Sequence, residues 1–191
     1  MPRPKAFDRE QTLRNAMTLF WQNGYQSTSM RMLIEATGVN PGSWYASFGN
    51  KEAIFLEVLE VYYHDLTSGI NAALKHAESY QKTLQQFFDL LIAQNSRTDV
   101  RGCLLVNSLL ELAHKPEMQA HISAMFTGFE EMFYWTLLGG QKKGEFNPKL
   151  NTRSGAQFLV TSYFGLRAES MMDLSTDDLK ARIEQILNFL N

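Results

Sequence analysis

Residues 24–51 read G-Y-Q-S-T-S-M-R-M-L-I-E-A-T-G-V-N-P-G-S-W-Y-A-S-F-G-N-K, a run whose caps and stops set out two short helices and a turn. Ser29 is placed to cap a first helix in which Met30, Leu33, Ile34 and Thr37 recur at the spacing of one buried face. Gly38 follows, where a helix is best ended by a residue that tolerates positive φ. Asn40 then caps a second helix, and Pro41 takes its first position, where a missing N–H costs nothing. Two helices joined by so short a glycine turn make a helix-turn-helix unit.

Working outward, Asp8 caps a preceding helix, with Gln11 placed to reach back in a capping box, Leu13, Ala16, Met17 and Phe20 as its buried stripe, and Gly24 as its end. The three helices form a compact head over residues 1–50, with Pro2 to Lys5 as a basic arm in front of it. Residues 1–51 carry six Lys/Arg against three acidic residues, whereas the rest carries 12 against 17. A basic head on an acidic body, in a chain of net charge −2, suits a protein that touches phosphate with one end. The single cysteine, Cys103, excludes an intramolecular disulfide framework and fits a reducing cytoplasm. No stretch approaches the ~20 apolar residues of a membrane span, and Met-Pro-Arg-Pro-Lys lacks the apolar block of a secretory signal.

Gly24-Tyr25, Thr28-Ser29, Arg31, Leu33, Gly38-Val39, Gly42-Ser43, Trp44-Tyr45, Phe48 and Asn50-Lys51-Glu52 together resemble the N-terminal signature of the TetR family of bacterial transcriptional regulators. The resemblance implies a head whose second helix of the pair enters the DNA major groove. It implies DNA contacts from Thr28, Ser29, Arg31, Asn40, Pro41, Gly42, Ser43, Trp44, Tyr45, Ser47 and Lys51, with Tyr45 on a phosphate oxygen. Gly42 and Ser43 have little bulk, which lets a helix sit deep in a groove. Lys51 adds charge at a helix start. Two positions depart from the family pattern. Trp44 stands where leucine is commoner and is either a packing residue or a base contact. Ile34 stands where alanine is usual and adds bulk where the two helices approach.

Residues 51–191 read as a helical body, so the fold class is all-α, nine helices with no convincing strand. A long helix runs from Lys51 towards Lys75, followed by helices over about 79–95, from 101 to near Pro116, over 117–143, over 152–172 and from Ser175 to near Leu190. Gly139-Gly140 is expected to fray the fourth of these six. Aromatic and methionine side chains exceed what a small bundle requires. Phe88, Asn107, Met125, Phe126, Phe129, Phe133 and Tyr163, with Cys103, are candidates for a pocket taking a small apolar or aromatic effector; plain core is the alternative. The run from Arg101 to Asn107 resembles a segment of regulators that sense electrophiles or oxidants through a cysteine. Cys103 is therefore a candidate sensor activated by Arg101, or an inert buried thiol, which is favoured because the chain holds no resolving cysteine.

Leu159, Leu166, Met171, Ile183, Ile186, Leu187 and Leu190 present more apolar surface than one body hides and are candidates for a homodimer interface, which the resemblance also implies. His114, Glu117 and His121 are a poor metal set, interrupted by Pro116 and without a soft third donor. The four histidines lack an evident nucleophile or paired carboxylates, so neither an enzyme nor a cofactor or metal is expected. The function expected is a dimeric repressor released from a near-palindromic operator by an effector. The alternatives are a thiol-based sensor acting through Cys103, or a helical interaction protein that no longer reads DNA.

Overall fold

The computed structural model describes residues 7–94, 102–172 and 174–191. The arm at residues 2–5 and the role expected of Arg101 lie outside the described residues. Among these, the chain forms nine helices and no strand: α1 (Arg9–Ser27), α2 (Met30–Thr37), α3 (Pro41–Phe48), α4 (Lys51–Lys75), α5 (Tyr80–Gln94), α6 (Leu104–Leu112), α7 (Pro116–Lys142), α8 (Thr152–Glu169) and α9 (Thr176–Asn188). No helix among the described residues is long and apolar enough to cross a membrane.

Side-chain caps set most of these boundaries. Asp8, Ser29, Asn40, Asn50, Asn151 and Ser175 each accept a hydrogen bond from an N–H in the first turn that follows. The capping box expected at Asp8 is only half made, because Gln11 turns its amide to Asn15 instead of back to the cap. Gly24 does not end α1. It takes φ 77°, ψ 169° and kinks the helix, which continues for a further short stretch to Ser27. Nor do Gly139 and Gly140 fray α7. They let Tyr80 and Phe146 lie against the helix backbone, where a Cβ would overlap either ring.

α4 joins the two halves of the packing. Phe55 meets Phe20 of α1 at 4.7 Å and Tyr25 at 4.8 Å between ring centres, so α1 is laid against the start of α4. Further along, α7 lies beside α8 and also packs on α4, α5 and α6. Their shared core holds Phe87, Phe129, Phe133 and Tyr163, with the Phe87 and Tyr163 rings stacked at 4.8 Å. α9 covers α5 and α8 with Leu179 and Ile183.

Candidate nucleic-acid interface

α2 and α3 have eight residues each, too short to hold helical structure alone, so tertiary anchors must hold them. Leu33 of α2 is fully buried, as is Trp44 of α3, with Phe48 one turn later and Val39 in the turn. The Trp44 and Phe48 rings lie 5.3 Å apart, and Phe48 also meets Phe7 and the guanidinium of Arg9. Gly38 sits at φ 65°, in the left-handed region the turn between the helices requires. With Trp44 and Phe48 inward, the helical period turns Pro41, Gly42, Tyr45 and Ala46 outward. All four are exposed, as are Asn40 and Ser47, while Ser43 is half-buried. Tyr45 keeps 51% of its surface.

Two expected contacts are corrected by this packing. Trp44 has no exposed surface and is an anchor rather than a base contact. Thr28 is equally buried, and its hydroxyl donates to the Gly24 carbonyl at 2.7 Å, so it ties α1 to the turn before α2. Ser29 is exposed but occupied as the α2 cap. Arg31 is open to solvent with an ion pair to Glu35 one turn along. Lys51 is half-buried. Its ammonium donates to the Gln26 carbonyl at 3.3 Å and lies 4.3 Å from the centre of the Tyr25 ring. Burial, and then Lys115 nearby, pull its pKa below the usual lysine value. Ala46 belongs to the exposed face but was not among the expected residues, since a methyl group carries no chemical signal in a sequence.

The basic balance of the head is largely spent within the molecule. Arg9 pairs with Glu57 at 2.7 Å and Arg14 with Asp65 at 3.0 Å, both on α4. Hydrogen bonds to Asp65 and Glu10 raise the Arg14 pKa further. These pairs hold α1 to α4.

In the body, Phe88, Phe129 and Phe133 are fully buried, with Met125 and Tyr163 nearly so, and the rings pack on one another as core. Phe126, half-buried, packs against Phe164 with the rings tilted and their centres 4.4 Å apart. Asn107 instead lines a cleft of about 280 Å³ between α1, α4 and α6, with Trp21, Tyr25, Phe55, Glu111 and Met171. Cys103 is buried beside Tyr62, whose hydroxyl donates to its Sγ at 3.7 Å and accepts from Arg167 at 2.9 Å. Burial raises the pKa of Tyr62 and of Tyr163.

On the opposite side, Leu159, Leu166, Ile183 and Leu190 are buried within the chain, because α9 turns one face onto α5 and α8. That corrects their expected place on a dimer surface. Ile186 and Leu187 remain half-buried, and Ile186 lines a surface groove of about 340 Å³ between α8 and α9; Met171 is exposed but belongs to the cleft between α1, α4 and α6. His121 is paired with Glu60 at 2.9 Å, and among the described residues no group of three His, Cys, Asp or Glu is placed to hold a metal.

Known proteins share both halves of this arrangement. The pattern for bacterial regulatory proteins of the tetR family matches residues 13–58, and that for a tetracyclin repressor-like C-terminal domain matches residues 81–186. The HTH-type transcriptional repressor ComR of Escherichia coli (strain K12) is 30% identical over 93% of this chain and 90% of its own. A cysteine mutant of the TetR family transcriptional regulator CifR, complexed with 26 bp double-strand operator DNA, superimposes with a TM-score of 0.86. It is 28% identical, and the match covers 100% of both chains. The reduced form of E. coli NemR, at 20% identity, shares the fold with a TM-score of 0.86 over 96% of each chain.

Proposed function

The chain belongs to the tetR family of bacterial regulatory proteins, and on that footing we propose that it is a homodimeric repressor which binds a near-palindromic operator and is released by a small apolar or aromatic effector. It is a transcriptional regulator by family. Residues 1–50 act as the reading head and residues 51–191 as the effector-binding and dimerisation body. One observation carries the DNA reading: α3 is locked inward by Trp44 and Phe48 while Pro41, Gly42, Tyr45 and Ala46 stand clear of the surface. A rigid helix with small residues at its start and a phenol beside them fits a major groove, with Tyr45 on a phosphate. CifR, which shares the fold over its whole length, was solved on operator DNA. ComR is a repressor.

Release follows from coupling rather than from blocking. An effector that binds better to a body conformation in which the two heads no longer match the half-site spacing lowers operator affinity. A coupling of about 3 kcal/mol changes it by roughly two orders of magnitude. The methionines among the packed rings of the body give its walls room to adapt.

The direct test is binding to the DNA upstream of the protein's own gene, measured by fluorescence anisotropy over a range of salt. Tyr45→Phe loses the hydroxyl and is expected to weaken binding about tenfold, and Lys51→Ala to weaken it less, since its ammonium is already engaged by Gln26. Both variants binding with unaltered affinity and salt slope would overturn these contacts.

A second reading is favoured by the chain of hydrogen bonds from Arg167 through Tyr62 to Cys103. In this reading an electrophile or oxidant that reaches Cys103 serves as the releasing signal. Cys103→Ser then abolishes oxidant-driven release of DNA, and an unchanged response rejects this reading.

A further inference from the structure

The cleft between α1, α4 and α6 is bridged from the head at both ends of α6. Just before α6 begins, the Gly102 carbonyl accepts from the Trp21 indole N–H at 3.2 Å. Near its far end, Glu111 spreads its two carboxylate oxygens over consecutive backbone N–H groups, Tyr25 at 2.8 Å and Gln26 at 2.6 Å.

Those two amides are presented to Glu111 by the kink at Gly24. In an unbroken helix they would turn to carbonyls four residues back. The φ of 77° at Gly24 breaks that pattern, and a Cβ there would lie 3.1 Å from Glu111 Oε2. Successive N–H groups in such a bend form a seat for an anion, and hydrogen bonds to a carboxylate are roughly twice as strong as neutral ones. Lys51 and Lys115 both stand over the Tyr25 ring, at 4.3 and 4.9 Å from its centre, which places further positive charge beside the carboxylate.

We propose that Glu111 is a positioning residue of the reading head: its carboxylate, carried on α6, fixes the angle at which the α1 kink, and α2 and α3 after it, stand on the body. This rests on the reading of α3 as the part that meets DNA. Helix shifts of about 1–2 Å are ordinary in switching proteins. A shift of α6 by that amount breaks both bonds from Glu111 and frees the segment that leads into α2. The Thr28 hydroxyl on the Gly24 carbonyl makes the link from that segment to the helix pair stiff.

The test uses the full-length protein with Glu111→Gln and Glu111→Ala. Amide hydrogen exchange at Tyr25 and Gln26 is measured without DNA, and operator affinity separately. Glu111→Gln keeps one acceptor and loses the charge. Exchange at the two amides is expected to rise about tenfold, with α7 and α8 unaffected and operator affinity lowered about tenfold. Glu111→Ala is expected to exceed both changes. Unchanged exchange in both variants overturns the clasp. So does faster exchange with operator affinity equal to that of the unsubstituted protein, provided Tyr45→Phe still weakens binding. An unsubstituted protein that binds no operator at all refutes the DNA reading itself, and the positioning role with it.

Discussion

Trp44 and Tyr45 are neighbours in sequence with opposite fates, the first without exposed surface and the second with half of its own in solvent. The difference comes from the helical period: Trp44 shares its face with Phe48, and Tyr45 does not. In an eight-residue helix the periodic signal is too brief to say which of two adjacent aromatics turns inward, so the sequence left Trp44 open between packing and base contact. Thr28, too, is placed by a contact that local sequence does not reveal. A hydroxyl beside a helix start looks available until its partner, the carbonyl of Gly24, is seen. Trp44→Ala removes the anchor of α3 and is expected to cost about 3–5 kcal/mol in urea unfolding. Trp44→Phe costs less, because the buried indole N–H has no hydrogen-bond partner among the described residues and its removal relieves that penalty. An alanine variant as stable as the parent would mean that α3 is held by something else.

At the scale of elements, what could be read in advance was the chemistry of helix ends. Caps act within three residues, so Ser29, Asn40, Asn50 and Ser175 announce themselves locally. Gly24, Gly139 and Gly140 did not behave as stops, because their role is set by Glu111, Tyr80 and Phe146, residues distant in sequence. The capping box of α9 offers a test by pH. Ser175 accepts from the Asp178 N–H at 3.1 Å and donates its hydroxyl to the Asp178 carboxylate at 2.7 Å. That hydrogen bond, followed by the one from the Ser175 backbone, holds the Asp178 pKa below its usual value. A lowered folded pKa means that the stabilisation is complete above the unfolded value, near ~3.9, and is lost as pH falls through the folded one. Ser175→Ala should cost about 1 kcal/mol at neutral pH. The difference from the parent in urea midpoint should narrow below about pH 4. A gap that stays constant into strong acid contradicts the role given to the carboxylate.

For the whole molecule, one chain presents one reading helix, and operator recognition of the proposed kind needs two. The surface proposed for a second copy lies along α8 and α9, where Ile186, Leu187 and Phe189 keep apolar area and Ile186 lines the groove that Glu169 and Arg182, themselves an ion pair, also border. Ile186→Glu places a charge there without touching the fully buried positions. Sedimentation equilibrium should then show a monomer, with operator affinity reduced by at least two orders of magnitude, since the second half-site becomes a separate binding event. A variant that remains dimeric moves the interface elsewhere. This part of the account was the least legible in the sequence: Leu159, Leu166, Ile183 and Leu190 share the helical spacing of the surface residues, and the side on which α5 and α8 lie is not written in the spacing.

The central claim, that the outward face of α3 enters the major groove of the operator, is tested most directly by affinity cleavage. Ala46→Cys, exposed on that face while Cys103 is buried, carries an iron chelate to the protein–DNA boundary. The account predicts strand cuts inside two half-sites centred about 10 bp apart, or a multiple of a helical turn, with the strand offset of major-groove attack. Cleavage outside the protected operator by a protein that remains bound would contradict it.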